Sequence, residues 1–362
     1  MRSDDFFYNL PRELIAQEPV SPRHTSNLLI LDRSTGGIHH ETFYRIIDMF
    51  ESGDVIVSND TKVLKARLFG RKRTGGKVEI LVQNQEGDPK AKLSSNISIT
   101  GSRWVAYVRG KNIRSGHCIE LDNIEVTAQV CKHLGGAKFL IEFKDRTQNK
   151  SEIEFTLDDL LRIAGTIPTP PYVRKKLLDP GKYQTVYARH PGSIAAPTAG
   201  LHFSEEILER IHDIGVNMIS LTLHVGPGTY LPVSSDSVEE HKMEKEYYTL
   251  TQKCARLINE CLDRGKRLWI VGTTTLKTLE TVYSRHGTLK EDHGNSDMFI
   301  YPPYKFKTPA SFFLTNFHLP KSTLIMMIAA YAGREKVLHA YREAVEREYR
   351  FYSFGDAMLI RG

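Results

Sequence analysis

Four segments of this chain bring hydroxyls, histidines and small residues together in a way that suits catalysis. They are Ala196–Phe203 (APTAGLHF), Thr222–Thr229 (TLHVGPGT), Val271–Thr275 (VGTTT) and Thr315–Thr323 (TNFHLPKST). The first supplies Thr198 and His202, the second His224, the third Thr273 and Thr274, and the fourth His318, Ser322 and Thr323. Imidazoles are the usual proton carriers near neutral pH. Free N–H groups at a helix start, flanked by threonine hydroxyls, make a cradle for a carboxylate or another anion. A fifth stretch, His241–Glu246 (HKMEKE), sets a histidine beside carboxylates. It reads equally as an acid–base group or as a solvated charge run.

Other chemistries are disfavoured by what is missing from the sequence. Gly226-x-Gly228 resembles the opening of a dinucleotide fingerprint, but its third glycine is absent. There is no G-x-S-x-G elbow and no P-loop, which weighs against serine hydrolases and P-loop nucleotide hydrolases. No H-E-x-x-H occurs, and Cys118, Cys131, Cys254 and Cys261 form no C-x-x-C pair. No metal site and no disulfide framework are therefore expected. Each histidine taken alone is more often structural than catalytic, and His39-His40 reads as a surface strand pair. What raises His202, His224 and His318 together is that all three stand where a strand is expected to meet a helix.

The elements that must position these groups follow from periodicity and punctuation. Ser204 is placed to cap a helix that Gly215 ends, and Val216–Val225 reads as a strand. Lys253–Arg264 is helical, Arg267–Val271 a buried strand, Phe312–Phe317 another strand, and Ser322–Ala332 a helix. Glu335–Tyr349 carries an apolar stripe at helical spacing. Leu28–Leu31 and Val55–Ser58 are strand-like, and Thr156–Asp159 looks like a capping box opening a helix through Ile163. Strands alternating with helices imply an α/β domain with much parallel pairing.

Between Val63 and Ser151 the texture changes to short β-rich runs separated by turns such as Gly75-Gly76, Asp122-Asn123 and Gly135-Gly136. That spacing suggests a small closed or nearly closed β structure. The reading is an α/β fold: a large discontinuous α/β domain (residues 1–62 and 152–362) with a small β-barrel domain (63–151) inserted. The inserted stretch carries 17 Lys/Arg against 8 Asp/Glu, whereas the rest carries 32 against 35. The whole positive excess of the chain, a net +6, thus resides there. A phosphate backbone is the commonest partner for such a patch, and Arg71, Lys72, Arg73 and Lys77 are its densest run. The longest apolar run, Leu324–Ala332, is too short to cross a bilayer. The opening MRSDDFFYNL has acids where a signal peptide would be apolar, so a cytoplasmic chain without targeting segment is expected.

The wording of these segments goes further. The chain resembles the S-adenosylmethionine:tRNA ribosyltransferase-isomerase family from end to end. The resemblance rests on ELIAQEP (Glu13–Pro19), VSNDTKVLKARLFG (Val57–Gly70), GGKVEIL (Gly75–Leu81), YQTVY (Tyr183–Tyr187) and GSIAAPTAGLHF (Gly192–Phe203). It continues in TLHVGPGTYLPV (Thr222–Val233), VGTTTLKTLE (Val271–Glu280), TNFHLPKSTLIM (Thr315–Met326) and YRFYSFGDAMLI (Tyr349–Ile360).

The resemblance implies a large α/β domain with an inserted β-barrel. It implies a step of queuosine biosynthesis in which the ribosyl group of S-adenosylmethionine is transferred and isomerised onto 7-aminomethyl-7-deazaguanine (preQ1) at the tRNA wobble position. Epoxyqueuosine forms, and adenine and methionine leave. S-adenosylmethionine is consumed as a substrate, and no metal or second cofactor is implied. Expected partners are preQ1-modified tRNA and S-adenosylmethionine, with no membrane, and the chain is expected to be a monomer. His202, His224, His241, Glu246 and His318 are the candidates for proton transfer. Thr198, Thr273, Thr274, Ser322 and Thr323 are candidates for positioning, and the matching stretches add Asp60, Thr61, Arg67, Thr275, Lys277 and Asp356 as substrate-binding candidates. The methionine carboxylate is expected at the helix start after Gly272 or at the one after Ser322. Three departures stand out: Glu244 where the family has a histidine, Lys277 where it has arginine, and Pro303 where glycine is common. The competing readings are an S-adenosylmethionine-dependent RNA methyltransferase, against which the incomplete glycine fingerprint argues, and a non-catalytic tRNA-binding protein.

Overall fold

The computed structural model describes the chain except for residues 88–96, 147–154, 176, 231, 232 and 234; the boundary expected at Ser151 lies outside the described residues. Contacts divide it into two units. One comprises Met1–Thr61, Pro170–His190 and Ala196–Gly362, the other Lys62–Thr169 and Pro191–Ala195.

Along the chain, β1 (Asn27–Asp32), β2 (Ile38–Thr42) and β3 (Val55–Asn59) open the first unit. The short strands β4 (Thr61–Val63) and β11 (His190–Ser193) lie where the chain passes between the units. The second unit holds β5 (Arg67–Lys72), β6 (Lys77–Gln85), β7 (Arg103–Gly110), β8 (Cys118–Leu121), β9 (Val126–Gly135), β10 (Lys138–Asp145) and helix α1 (Leu157–Ala164). The first unit then resumes with α2 (Glu205–Asp213), β12 (Asn217–Leu223), β13 (Glu246–Leu250), α3 (Gln252–Asp263), β14 (Leu268–Val271) and α4 (Thr273–His286). It closes with β15 (Asp292–Ser296), β16 (Phe312–Asn316), α5 (Thr323–Ala332), α6 (Arg334–Glu346) and β17 (Ala357–Arg361).

The first unit is built on a nine-stranded sheet in the order β15-β13-β12-β3-β14-β16-β17-β1-β2. Its centre, β12-β3-β14-β16, is parallel throughout. Both flanks turn antiparallel, apart from the parallel β1–β17 pair, so the sheet is more mixed than the alternation of elements suggested. The central strands β3 (VIVSN) and β14 (LWIV) are buried at every position, as expected for strands covered on both faces. One core packs Phe43, Phe203, Ile207, Ile211 and Trp269 together. Within it the Trp269 ring stacks on Phe312 (3.8 Å between centroids), and its indole N–H donates to Asp54 Oδ2 at 3.0 Å. The helices begin where their caps stand: Ser204 Oγ accepts from Ile207 N–H, and Thr251 Oγ1 accepts from Cys254 N–H.

The second unit is a closed six-stranded barrel, β10-β7-β6-β5-β8-β9. Alternate residues point inward, as in Val78, Ile80 and Val82 of β6 and Trp104, Ala106 and Val108 of β7. Gly70 on β5 has no room for a side chain, since a Cβ there would lie 2.4 Å from the Glu120 carbonyl oxygen on β8. Helix α1 begins with the Thr156–Asp159 capping box and belongs to this unit, beyond the stretch assigned to the barrel from sequence. The reason is packing: Leu157, Leu160 and Leu161 complete the same apolar core as Val78 and Trp104.

Candidate active site

Four parallel strands end side by side at the centre of the sheet: β3 at Asn59, β12 at Leu223, β14 at Val271 and β16 at Asn316. In open α/β sheets the crevice beyond the carboxyl ends of such strands is where ligands bind. Three of the four chemically marked segments follow these ends directly. The fourth, a short 3-10 turn at Thr198–His202, lies against β16.

Asn59 ties the ends together. Its Oδ1 accepts from the N–H groups of Thr61 (3.1 Å) and Leu223 (3.0 Å). Its Nδ2 donates to the Leu223 carbonyl (2.9 Å) and to Thr274 Oγ1 (3.2 Å). One buried amide thus sets β3, β12 and the start of α4 in register; an unpaired amide there would cost about 1–3 kcal/mol. Thr61 Oγ1 in turn shares a hydrogen bond with His224 Nδ1 at 2.7 Å.

A small cleft opens over these ends. Thr198, Thr273, Thr274, His318 and Ser322 all line it. So do Val225, Gly272, Asn316, Tyr172, Tyr352 and Ser353. The Tyr172 and Tyr352 rings lie 4.5 Å apart, and Tyr172 Oη pairs with Ser353 Oγ at 2.7 Å. His318 Nε2 shares a hydrogen bond with Thr315 Oγ1 at 2.9 Å, and burial pushes its pKa down to about 3. The ring is therefore neutral at physiological pH, suited to hydrogen bonding and poorly suited to carrying a proton.

The two helix starts differ. Ser322 caps α5 itself: its Oγ accepts from Ile325 N–H and donates to the Leu319 carbonyl at 2.8 Å. That hydroxyl thus holds the first turn of α5 together, although Ser322 also lines the cleft. Helix α4 has no side-chain cap, because Gly272 stands at its N-cap. Its first N–H groups, which intrahelical geometry leaves without acceptors, include those of Thr273 and Thr274, residues that line the cleft. Thr273 is 8% exposed, and among the described residues its hydroxyl has no partner. Thr275, by contrast, turns its hydroxyl back to the Val271 carbonyl at 2.6 Å. Thr323 is buried in the first turn of α5 and is not among the cleft-lining residues.

Several expected site residues are placed elsewhere. His202 is fully buried behind the cleft, stacked on Phe43, with both ring nitrogens engaged. Burial, aided by the nearby Arg23 charge, holds its pKa well below the ordinary value. It is a neutral histidine with both nitrogens bonded, and it is not among the residues that line the cleft. His241 packs edge-on against Phe299, and burial lowers its pKa. Glu246 and Lys277 form a buried ion pair at 3.1 Å, and the second Glu246 oxygen accepts from Gly226 N–H at 3.0 Å. Breaking such a pair costs about 3–5 kcal/mol, so these groups hold the glycine turn. Glu244 lies against the same turn, where a Cβ on Gly228 would approach its Oε2 to 2.8 Å.

Asp60 accepts from Thr222 Oγ1 at 2.7 Å and lines a different cavity, with Tyr187, Arg189 and Cys254. Burial raises its pKa, against the pull of Thr222, His190 and Arg189. Asp356 is a clamp, accepting from Asn27 N–H and side-chain amide and from Arg350 N–H. Arg67 stays within the barrel unit, paired with Glu79 at 2.9 Å and donating to the Thr169 carbonyl. Arg71, Arg73 and Lys77 are exposed, while Lys72 is half-buried and donates to the Lys111 carbonyl at 2.7 Å. Sequence reasoning passed over Asn59, Asn316, Tyr172 and Tyr352. The available signal was an asparagine closing each of two apolar strands, VIVSN and FFLTN, where a buried amide must find partners.

Among the described residues no group of three or more His, Cys, Asp or Glu side chains is arranged to hold a metal ion, and no helix is long and apolar enough to cross a membrane. A family model described as "Queuosine biosynthesis protein" matches residues 3–360. The chain is 44% identical to the S-adenosylmethionine:tRNA ribosyltransferase-isomerase of Caldanaerobacter subterraneus subsp. tengcongensis, over 99% of this chain and 100% of that protein. A relative of the same name from Staphylococcus aureus is also 44% identical, with the same coverage. A solved structure of S-adenosylmethionine tRNA ribosyltransferase from Thermotoga maritima is 36% identical, covers 98% of this chain and 99% of that one, and superimposes with a TM-score of 0.54.

Proposed function

The chain belongs to the queuosine biosynthesis protein family, and from that premise we propose that it is an S-adenosylmethionine:tRNA ribosyltransferase-isomerase. In this reading it moves the ribosyl group of S-adenosylmethionine onto preQ1 in tRNA, forms epoxyqueuosine and releases adenine and methionine. The observation that carries the reading is the cleft beyond the four parallel strand ends, where an uncapped helix start, the threonines Thr198, Thr273 and Thr274 and a neutral imidazole line one space. Such a set suits a ligand with a carboxylate, sugar hydroxyls and a purine.

The chemistry asks for little more than positioned hydrogen-bond partners and one or two proton carriers. The sulfonium acidifies the adjacent C5′ hydrogens, so a base can remove one. Adenine leaves more readily when a ring nitrogen is protonated, and the acceptor amine must be neutral to attack. His202 and His318 are held neutral by burial and serve better as hydrogen-bonding groups. That leaves His224, half-buried beside the cleft residue Val225 and oriented by Thr61, as our candidate proton carrier. Glu246 and Lys277 support it indirectly by holding the Gly226 turn. The exposed Arg71, Arg73 and Lys77 of the barrel are our candidates for phosphate contacts. We take the enzyme to be a monomer that requires neither metal nor a further cofactor.

Labelled S-adenosylmethionine tests the reaction. With preQ1-tRNA, label in the ribosyl carbons should enter the tRNA, and label in the methyl group should stay with methionine. Transfer of the methyl label would make the protein a methyltransferase, and transfer of neither would make it a binder.

A further inference from the structure

The amide of Asn316 sits at the back of the cleft, and its orientation can be worked out from its neighbours. Its Nδ2 faces the Tyr352 carbonyl at 3.4 Å. A carbonyl only accepts, so the nitrogen and not the oxygen must lie on that side. The same Nδ2 faces His202 Nε2 at 3.1 Å, which must therefore be an acceptor. The His202 proton is then on Nδ1, donated to Ser26 Oγ at 2.8 Å. Burial of the ring favours this neutral form, since a protonated His202 would turn a donor onto the Asn316 nitrogen. The remaining Asn316 atom, Oδ1, lies 2.9 Å from Thr198 Oγ1 and can only accept. Thr198 has one hydroxyl proton, and it is committed to Asn316. Toward the cleft Thr198 consequently offers lone pairs alone.

Across the same floor lies the opposite character. Gly272 lies against Ala199, the neighbour of Thr198: a Cβ on Gly272 would stand 3.7 Å from the Ala199 Cβ. Beyond Gly272 is the uncapped start of α4, with its free N–H groups and Thr273, a residue only 8% exposed whose hydroxyl has no partner among the described residues. Donors and a forced acceptor thus face one space from adjoining segments. We propose that this floor is a zwitterion subsite for the α-amino-acid head of the sulfonium substrate, with its carboxylate on the α4 start, its ammonium on Thr198, and His202 acting as the positioning residue that fixes the polarity. The inference rests on the ribosyl-donor reading above and sharpens it. The expected carboxylate site resolves to α4, because the start of α5 is occupied by its own Ser322. His202 acts through Asn316 and never touches the ligand.

Equilibrium dialysis with two ligands tests the assignment: S-adenosylmethionine, and 5′-methylthioadenosine, which lacks the amino-acid head. Hydrogen bonds to charged groups are worth enough that Thr198→Val and Thr273→Val should each weaken S-adenosylmethionine roughly tenfold to a hundredfold. Neither should alter 5′-methylthioadenosine binding, which also reports that the variants fold. Thr198→Ser keeps the hydroxyl and should restore affinity. His202→Phe, which keeps the stacking on Phe43 but removes the acceptor, should weaken S-adenosylmethionine selectively. Equal loss for both ligands, or no loss for either, overturns the subsite while leaving the ribosyl-donor reading intact. Failure of the unaltered protein to bind S-adenosylmethionine at all would overturn both.

Discussion

At the scale of single residues, burial decides what each imidazole can do. His318 faces the cleft, yet its pKa near 3 keeps it neutral. His202 is shifted in the same direction. In the unfolded chain both rings take up a proton near pH 6.5, whereas the folded protein refuses it. The contribution of each to stability is thus present above about pH 6.5 and is lost as pH falls toward the folded pKa. For His318 the loss between about pH 8 and about pH 5 should be about 2 kcal/mol. Urea denaturation at the two pH values should show a smaller difference in His318→Gln than in the unaltered protein. Equal pH dependence would mean that the native ring titrates normally. The same burial means that any limb of the activity profile near neutral pH should survive His318→Gln and belong to another group.

At the scale of elements, the site depends on how strands hand over to helices. Gly272 makes the turn from β14 into α4 with φ +88° and ψ 151°. Only glycine adopts that region freely, although a Cβ would meet just Ala199 and Thr274 at ordinary contact distance. Gly272→Ala should therefore cost on the order of 1–3 kcal/mol of stability through backbone strain. It should also weaken S-adenosylmethionine by displacing the first turn of α4. Unchanged stability together with unchanged affinity would mean that the turn tolerates a side chain and does not set the cleft. The handovers were legible in the sequence where they carry caps and buried runs: Ser204 and Ser322 mark helix starts, and Leu268–Val271 is apolar throughout. Strand β15 was not, since DHGNS is polar and joins the sheet at its edge through backbone pairing with β13. The threonines after Gly272 could be read as an anion cradle because every helix start leaves donors free. The amides of Asn59 and Asn316 left only a weak mark, because an asparagine closing an apolar strand reads equally as a turn former. The full burial of His202 was not legible, because residue type and spacing carry no information about which side of a wall a ring occupies.

At the scale of the whole molecule, the division of charge matches the division of labour we propose. The barrel stretch carries the positive excess, and Arg71, Arg73 and Lys77 are exposed upon it. Changing all three to alanine should weaken tRNA binding and leave S-adenosylmethionine affinity untouched. For every phosphate that these side chains no longer neutralise, the slope of log affinity on log salt should become shallower by about 0.7–0.9. An unchanged slope would make this patch a solvated surface. The family itself is shown by full-length similarity, and the fold offers a cleft where four parallel strands end together. The central claim is that the ribosyl group of S-adenosylmethionine is the part transferred. Its most direct measurement is product release during incubation with S-adenosylmethionine and tRNA bearing preQ1. The account predicts adenine and methionine in equal amounts, appearing only when the aminomethyl-deazaguanine is present in the tRNA. Accumulation of S-adenosylhomocysteine, or no adenine release with fully modified tRNA, would contradict it.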